Sequence, residues 1–271
     1  MTGKKLKFGF HDFINAQPLL IPLREMEQQL GVTLVTGSPA SLAEQLRAGE
    51  LDLAMIPSIE YLKDSGQYRL LPEIAVASRG PVDTVLFASR LPLKEVQSVA
   101  LDVRSRTSAV LLQVLFGEVF PPNVSLETTD PNPKEMLKEH DAALIIGDPA
   151  FGLRSAYPDL QIIDLSQQWF EQTGKTFVHA VVAVRNGIGL DQEFLVTVQR
   201  AKEEGRSRLE SIARTESKHS GIDFETCFDY LSNKIIYDLG EEEMSGLQHF
   251  RDVCFERGIL DQKETIQFVE V

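Results

Sequence analysis

Asn15 lies in the stretch Gly9-Phe10-His11-Asp12-Phe13-Ile14-Asn15-Ala16-Gln17-Pro18-Leu19. Its amide can give and accept hydrogen bonds to a bound molecule. His11, in the same stretch, has a side chain whose ordinary pKa suits proton transfer near neutrality. A second set follows in Asp102-Val103-Arg104-Ser105-Arg106-Thr107-Ser108, ahead of the apolar run Ala109 to Phe116. The hydroxyls of Ser105, Thr107 and Ser108, the guanidiniums of Arg104 and Arg106, and the free N–H groups of a helix start together suit an anion. The bland alternative is capping by Ser105 or Thr107, with both arginines solvated. Ser58 follows Pro57 at the end of an apolar run. It suits a helix cap or a ligand contact equally. In Gly147-Asp148-Pro149, Gly147 lets backbone approach a ligand closely, and Asp148 is expected to cap a helix starting at Pro149.

Other chemistries lack their signatures. There is no Ser-His-Asp order, no paired-carboxylate motif and no glycine-rich nucleotide loop. The five histidines and two cysteines show no HxxxH or CxxC spacing, so no metal and no cofactor is expected. A net charge of -13 argues against nucleic acid and against an anionic membrane surface. A small anion remains possible where the site supplies its own positive potential. No apolar run is long enough to span a bilayer, and Met1 to Leu6 leads into no signal-length apolar stretch. Cys227 and Cys254 read as free thiols in a reducing compartment, so a cytoplasmic location is expected. The oligomeric state has no signature in the sequence.

The elements that must hold these groups follow a βα rhythm, run through twice. Strands are expected at Lys5–Phe10, Val32–Thr36, Leu51–Ile56, Tyr68–Leu71, Ile74–Ser78 and Thr84–Ser89. The rhythm restarts at Val99–Leu101, Ser125–Thr129 and Ala142–Ile146, then Gln161–Leu165 and Val178–Val184. Ser38-Pro39 and Asn132-Pro133 are helix starts, a cap followed by a proline at the first position. Trp169 reads as core. From Asp191 onward the pattern is helical, with one long element expected to about Ser217. Crossovers are expected at Arg90–Leu93 and Arg185–Gly187, giving lobe one as residues 1–90 plus 186–271 and lobe two as 91–185. The turns at Asn15, Ser58, Ser105–Ser108 and Gly147-Asp148 all stand at carboxyl ends of strands, where open α/β sheets bind ligands. The fold class is therefore α/β, a two-lobed clamp with a ligand cleft between the lobes.

The chain also resembles a known family. The resemblance is carried in order by Phe13 to Leu19, by Leu42 to Glu60, and by Gly80-Pro81-Val82. It continues through Ser105-Arg106-Thr107-Ser108, Leu144 to Asp148, Trp169 to Val178, and Tyr237-Asp238-Leu239-Gly240. These segments are similar to the chorismate dehydratases of the futalosine route to menaquinone, cytoplasmic enzymes on the type 2 periplasmic-binding-protein fold. The resemblance implies loss of water from chorismate, with Asn15 and a hydroxyl residue after Gly-Pro-Val addressing the ring hydroxyl. Counting from Pro81 reaches Asp83, but aligning the following strand gives Thr84, where the family often has serine. Thr176 stands where the family commonly has proline. The resemblance further implies that His11, Ser58, Ser105, Arg106, Thr107, Ser108, Gly147 and Asp148 line the substrate site. The proton acceptor is either the substrate's own enolpyruvyl carboxylate or His11. A sister family making 1,4-dihydroxy-6-naphthoate carries a histidine where this chain has Gly147-Asp148. The non-enzymatic alternative is an anion-binding or sensing clamp of the same fold.

Overall fold

The computed structural model describes residues 5–270. Among these, ten strands form two sheets. In chain order they are β1 (Leu6–Phe10), β2 (Val32–Thr36), β3 (Leu53–Pro57), β4 (Tyr68–Ser78), β5 (Val85–Ser89), β6 (Ser98–Asp102), β7 (Ser125–Thr129), β8 (Ala142–Ile146), β9 (Gln161–Asp164) and β10 (Phe177–Arg185). The first sheet has the order β2-β1-β3-β10-β4 and the second β7-β6-β8-β5-β9. In each, four strands run in one direction and the remaining one, β10 or β5, pairs antiparallel with both its neighbours. One architecture is thus used twice. β3, β5 and β8 are buried at every residue, as strands with helices over both faces must be.

The crossings between the sheets fall earlier in the chain than the sequence suggests. The outgoing one lies between Ser78 and Val85, and the return one between Asp164 and Phe177. Arg90–Leu93 only interrupts the second lobe, because β5 before it already pairs with β8 and β9. Likewise Arg185–Gly187 begins at the last residue of β10, which sits between β3 and β4. Strand pairing is non-local, so a polar break in sequence does not reveal which sheet its flanking strands join.

Both crossings meet at Asp164. Its Oδ2 accepts the N–H groups of Val82 (2.9 Å) and Asp83 (2.7 Å), and its Oδ1 those of Ser166 (3.0 Å) and Gln167 (3.1 Å). The first pair shapes the turn after Gly80-Pro81, and the second caps the Leu165–Thr173 helix. Burial pushes this carboxyl above its ordinary pKa, against the pull of the N–H donors.

Other differences have local causes. Tyr68 to Ser78 is one strand of 11 residues, interrupted in register near Glu73, whose φ is +60°. Lys202 Nζ takes up the Glu73 carbonyl at 2.7 Å. The long helix expected from Asp191 breaks at Arg208 into Gln192–Ser207 and Leu209–Ser220. Trp169 is core, edge-on to Phe177 and Phe250.

The Gln192–Ser207 helix crosses the Gln17–Glu25 helix closely enough that a Cβ on Gly205 would lie 1.6 Å from the Pro18 carbonyl oxygen. Only backbone can yield there. Gly205→Ala is expected to cost about 2–3 kcal/mol and lower Tm by several degrees. Gly189→Ala, where a Cβ meets nothing within 4 Å, should stay within about 0.5 kcal/mol. Thermal unfolding followed by circular dichroism compares the two.

Candidate active site

The carboxyl ends of β1, β3, β6 and β8 open into one cavity between the two sheets. Counting the part open to solvent, its empty space is about 560 Å³, within the range of small-molecule sites. From the first lobe come His11, Phe13 and Asn15 after β1, Pro57 at the end of β3, and His179 of β10. The outgoing crossing supplies Thr84, and the second lobe Arg104 to Ser108 and Gly147. Gly147 has φ +68° and packs where an added Cβ would touch the Phe13 ring at 3.4 Å.

The Thr107–Phe116 helix starts without a side-chain cap. Its hydroxyls therefore do other things. Ser105 Oγ is buried and has no hydrogen-bond partner, a costly state unless a ligand supplies one. Thr107 Oγ1 accepts the Ile59 N–H at 3.2 Å, bridging the lobes. Ser108 is buried on the same rim. Both guanidiniums are already paired. Arg104 holds Asp102 through Nε (2.9 Å to Oδ1) and Nη2 (2.6 Å to Oδ2), and lies 5.2 Å from the Phe13 ring centroid. Arg106 reaches across the lobes to Glu44 Oε1 at 2.9 Å. The positive potential left for an anion is mainly that of the uncapped helix N-terminus.

Asn15 sits in a 3₁₀ turn, Ile14–Ala16, and its buried Oδ1 has no partner. Thr84 is buried, and its carbonyl accepts the Gly147 N–H at 2.8 Å. Thr84 Oγ1 lies 2.8 Å from Tyr230 Oη. Burial lowers the pKa of His11 to about 4, so its ring is neutral at pH 7, with Nδ1 unpartnered. The same desolvation brings His179 to about 4. Its Nε2 meets Ser78 Oγ at 2.9 Å. His179 and Tyr230 have weak sequence signals. His179 interrupts an apolar strand, and Tyr230 lies inside a helical pattern with no local mark.

Two expected site residues stand outside the cavity. Ser58 does not cap a helix, and it sits behind the cavity wall, its Oγ 3.4 Å from Thr107 Oγ1. Its Oγ donates to the Val178 carbonyl at 2.7 Å, next to the register shift between Val178 and Ala180 in β10. Asp148 makes no capping bond to its own turn. Its Oδ1 accepts the Ile14 N–H at 3.3 Å, so a second-lobe carboxylate steadies the turn that carries Asn15.

Burial raises the Asp148 pKa from its ordinary 3.8 to about 6. Below pH 3.8 both folded and unfolded chains hold the proton. Between there and pH 6 only the fold does, so its contribution to stability is lost as pH rises. Asp148→Asn keeps an acceptor for Ile14 and does not titrate. Relative to that variant, the parent is expected to lose about 2 kcal/mol between pH 4.5 and 7.5. Urea unfolding of both proteins at the two pH values measures it.

A sequence-family model described as "Menaquinone biosynthesis" matches residues 6–256. Among curated relatives, the chorismate dehydratase of Thermus thermophilus is 29% identical over 246 residues, covering 85% of this chain and 90% of its own. That of Campylobacter jejuni is 26% identical over 252 residues, covering 91% and 96%. Among solved structures, protein AF1704 from Archaeoglobus fulgidus superposes with a TM-score of 0.76 at 18% identity, covering 95% of this chain and 99% of its own. The periplasmic aliphatic sulphonate binding protein of Escherichia coli gives 0.62 at 17% identity, covering 95% and 94%. The fold is that of the periplasmic binding proteins.

Proposed function

The chain belongs to the menaquinone-biosynthesis family, and on that basis we propose that it is a hydro-lyase converting chorismate to 3-[(1-carboxyvinyl)oxy]benzoate and water. One observation carries the reading. The Asn15 amide and Thr84 hydroxyl share a cavity between the sheets with an uncapped helix start and the unpartnered Ser105 hydroxyl. Such a site suits a dianion bearing an alcohol.

The reaction removes the proton on ring C3 and the hydroxyl on C4. Aromatisation supplies much of the driving force. The enzyme must orient the dianion, stabilise the departing oxygen and exclude water. Thr84 can donate to the C4 oxygen, and Asn15 Oδ1 can accept that hydroxyl's hydrogen. Ser105, Thr107, Ser108 and the helix N–H groups hold a carboxylate. The C3 proton passes to the substrate's enolpyruvyl carboxylate and from there to the leaving hydroxide, which departs as water. His11 is a weak base for this step, since burial lowers its pKa to about 4. Its unpartnered Nδ1 suits substrate binding instead. The lobes close about the crossings at residues 79–84 and 165–176. The enzyme works in the cytoplasm, and its two buried free thiols suit a reducing compartment.

Incubation with chorismate should abolish the diene absorbance and yield the benzoate, identified by mass. Stoichiometric binding with chorismate recovered intact refutes the assignment and favours a binding clamp. Asn15→Ala is expected to lower kcat by roughly 10²-fold or more. Thr84→Ser should retain most of kcat, and Thr84→Val should lose roughly 10²-fold. His11→Gln should cost less than about tenfold in kcat, well short of the loss of an essential base. Steady-state kinetics on the four variants separates these outcomes.

A further inference from the structure

Behind the proposed catalytic pair lies a group that the reaction scheme does not use. Residues Tyr230–Lys234 form a π-helical turn, closed by the Ile235 N–H donating to the Tyr230 carbonyl at 3.2 Å. Such turns are rare and often sit at functional sites. This one reaches the outgoing crossing with two side chains. Tyr230 Oη lies 2.8 Å from Thr84 Oγ1, and Lys234 Nζ forms an ion pair with Asp83. Asp83 needs such a hold, since its φ is +60°. The turn also packs on the 3₁₀ turn carrying Asn15, which brings the asparagine amide close to the tyrosine hydroxyl. Phe151 fixes the Tyr230 ring edge-on at 5.0 Å.

We propose that Tyr230 is a positioning residue that aims the Thr84 hydroxyl and the Asn15 amide at the substrate's C4 hydroxyl. The proposal rests on the dehydratase reading and on Thr84 acting in it. Tyr230 has one hydroxyl proton. Given to Thr84 Oγ1, it leaves the threonine's own proton free for the departing oxygen. The tyrosine oxygen can in turn accept from the Asn15 NH₂. That leaves Asn15 Oδ1, which has no protein partner, free to accept from the substrate. Tyr230 is 2% exposed, which shields these bonds from bulk water. Burial holds its phenol protonated well above neutral pH. The other acceptor within reach of Thr84 Oγ1, the Val82 carbonyl at 3.5 Å, is a weak competitor.

The test is a double-mutant cycle on chorismate turnover with Tyr230→Phe, Thr84→Val and the combination, measured as single turnovers at excess enzyme. Tyr230→Phe keeps the ring and its packing. It is expected to lower the saturating single-turnover rate by roughly tenfold or more with the half-saturating enzyme concentration within about twofold, and to change the rate less than about twofold in the Thr84→Val background. A Tyr230→Phe rate within twofold of the parent overturns the proposal. So does an equal loss in both backgrounds, which marks a role that does not pass through Thr84. Should Tyr230→Phe unfold, Asp83→Asn combined with Lys234→Met loosens the same grip from its other end. Full parental kcat in that variant refutes positioning by the π-turn. Parent enzyme that leaves chorismate unchanged, or Thr84→Val at full rate, refutes the underlying reading instead, and is seen before Tyr230 is touched.

Discussion

A single buried carboxylate, Asp164, gathers four backbone N–H groups from the two places where the chain changes lobes. Much else depends on that junction. It ties down the segment from Gly80 to Thr84 together with the Lys234–Asp83 ion pair and the Gly147 N–H. With it, the turn enters β5 at a set angle and Thr84 arrives beside Gly147. The site is thus built on strand ends and on a knot of charge-assisted hydrogen bonds, which are stronger than neutral ones.

The electrostatics of the cleft follow from pairing rather than from net charge. The chain carries -13 overall, and its two cleft arginines are spoken for by Asp102 and Glu44. These arginines brace the walls. The attraction available to an anion comes from backbone dipoles at the start of the Thr107–Phe116 helix and from the Ser105 hydroxyl, which is left without a partner. Dipoles of this kind need no counter-ion and no reorganisation, and they act strongly only where water is kept out. Burial also keeps two histidines in the same pocket neutral.

The strands and the turns after them were legible because their signals are local: alternation, proline after a cap, glycine at a tight approach. Asn15, Thr107 and Gly147 could be picked out that way. Crossings were not legible, since β5 and β10 show their sheet only through partners distant in sequence. Ser58 and Asp148 carried the right residue types in the right turns, yet each spends its oxygen on backbone from another element. Tyr230 stands 146 residues from the threonine it touches. Nothing in a helical stretch announces such a contact.

The strand exchange between the sheets has a further consequence. β5 and β10 each enter the sheet of one lobe directly from the other, and each lies inside its sheet rather than at an edge. A hinge made of two interior strands has no slack. Asn15 follows the end of β1 and Thr84 leads into β5, so the spacing of amide and hydroxyl is set by strands woven through both sheets. The weave acts as a selvedge, keeping that spacing from drifting as surface loops move.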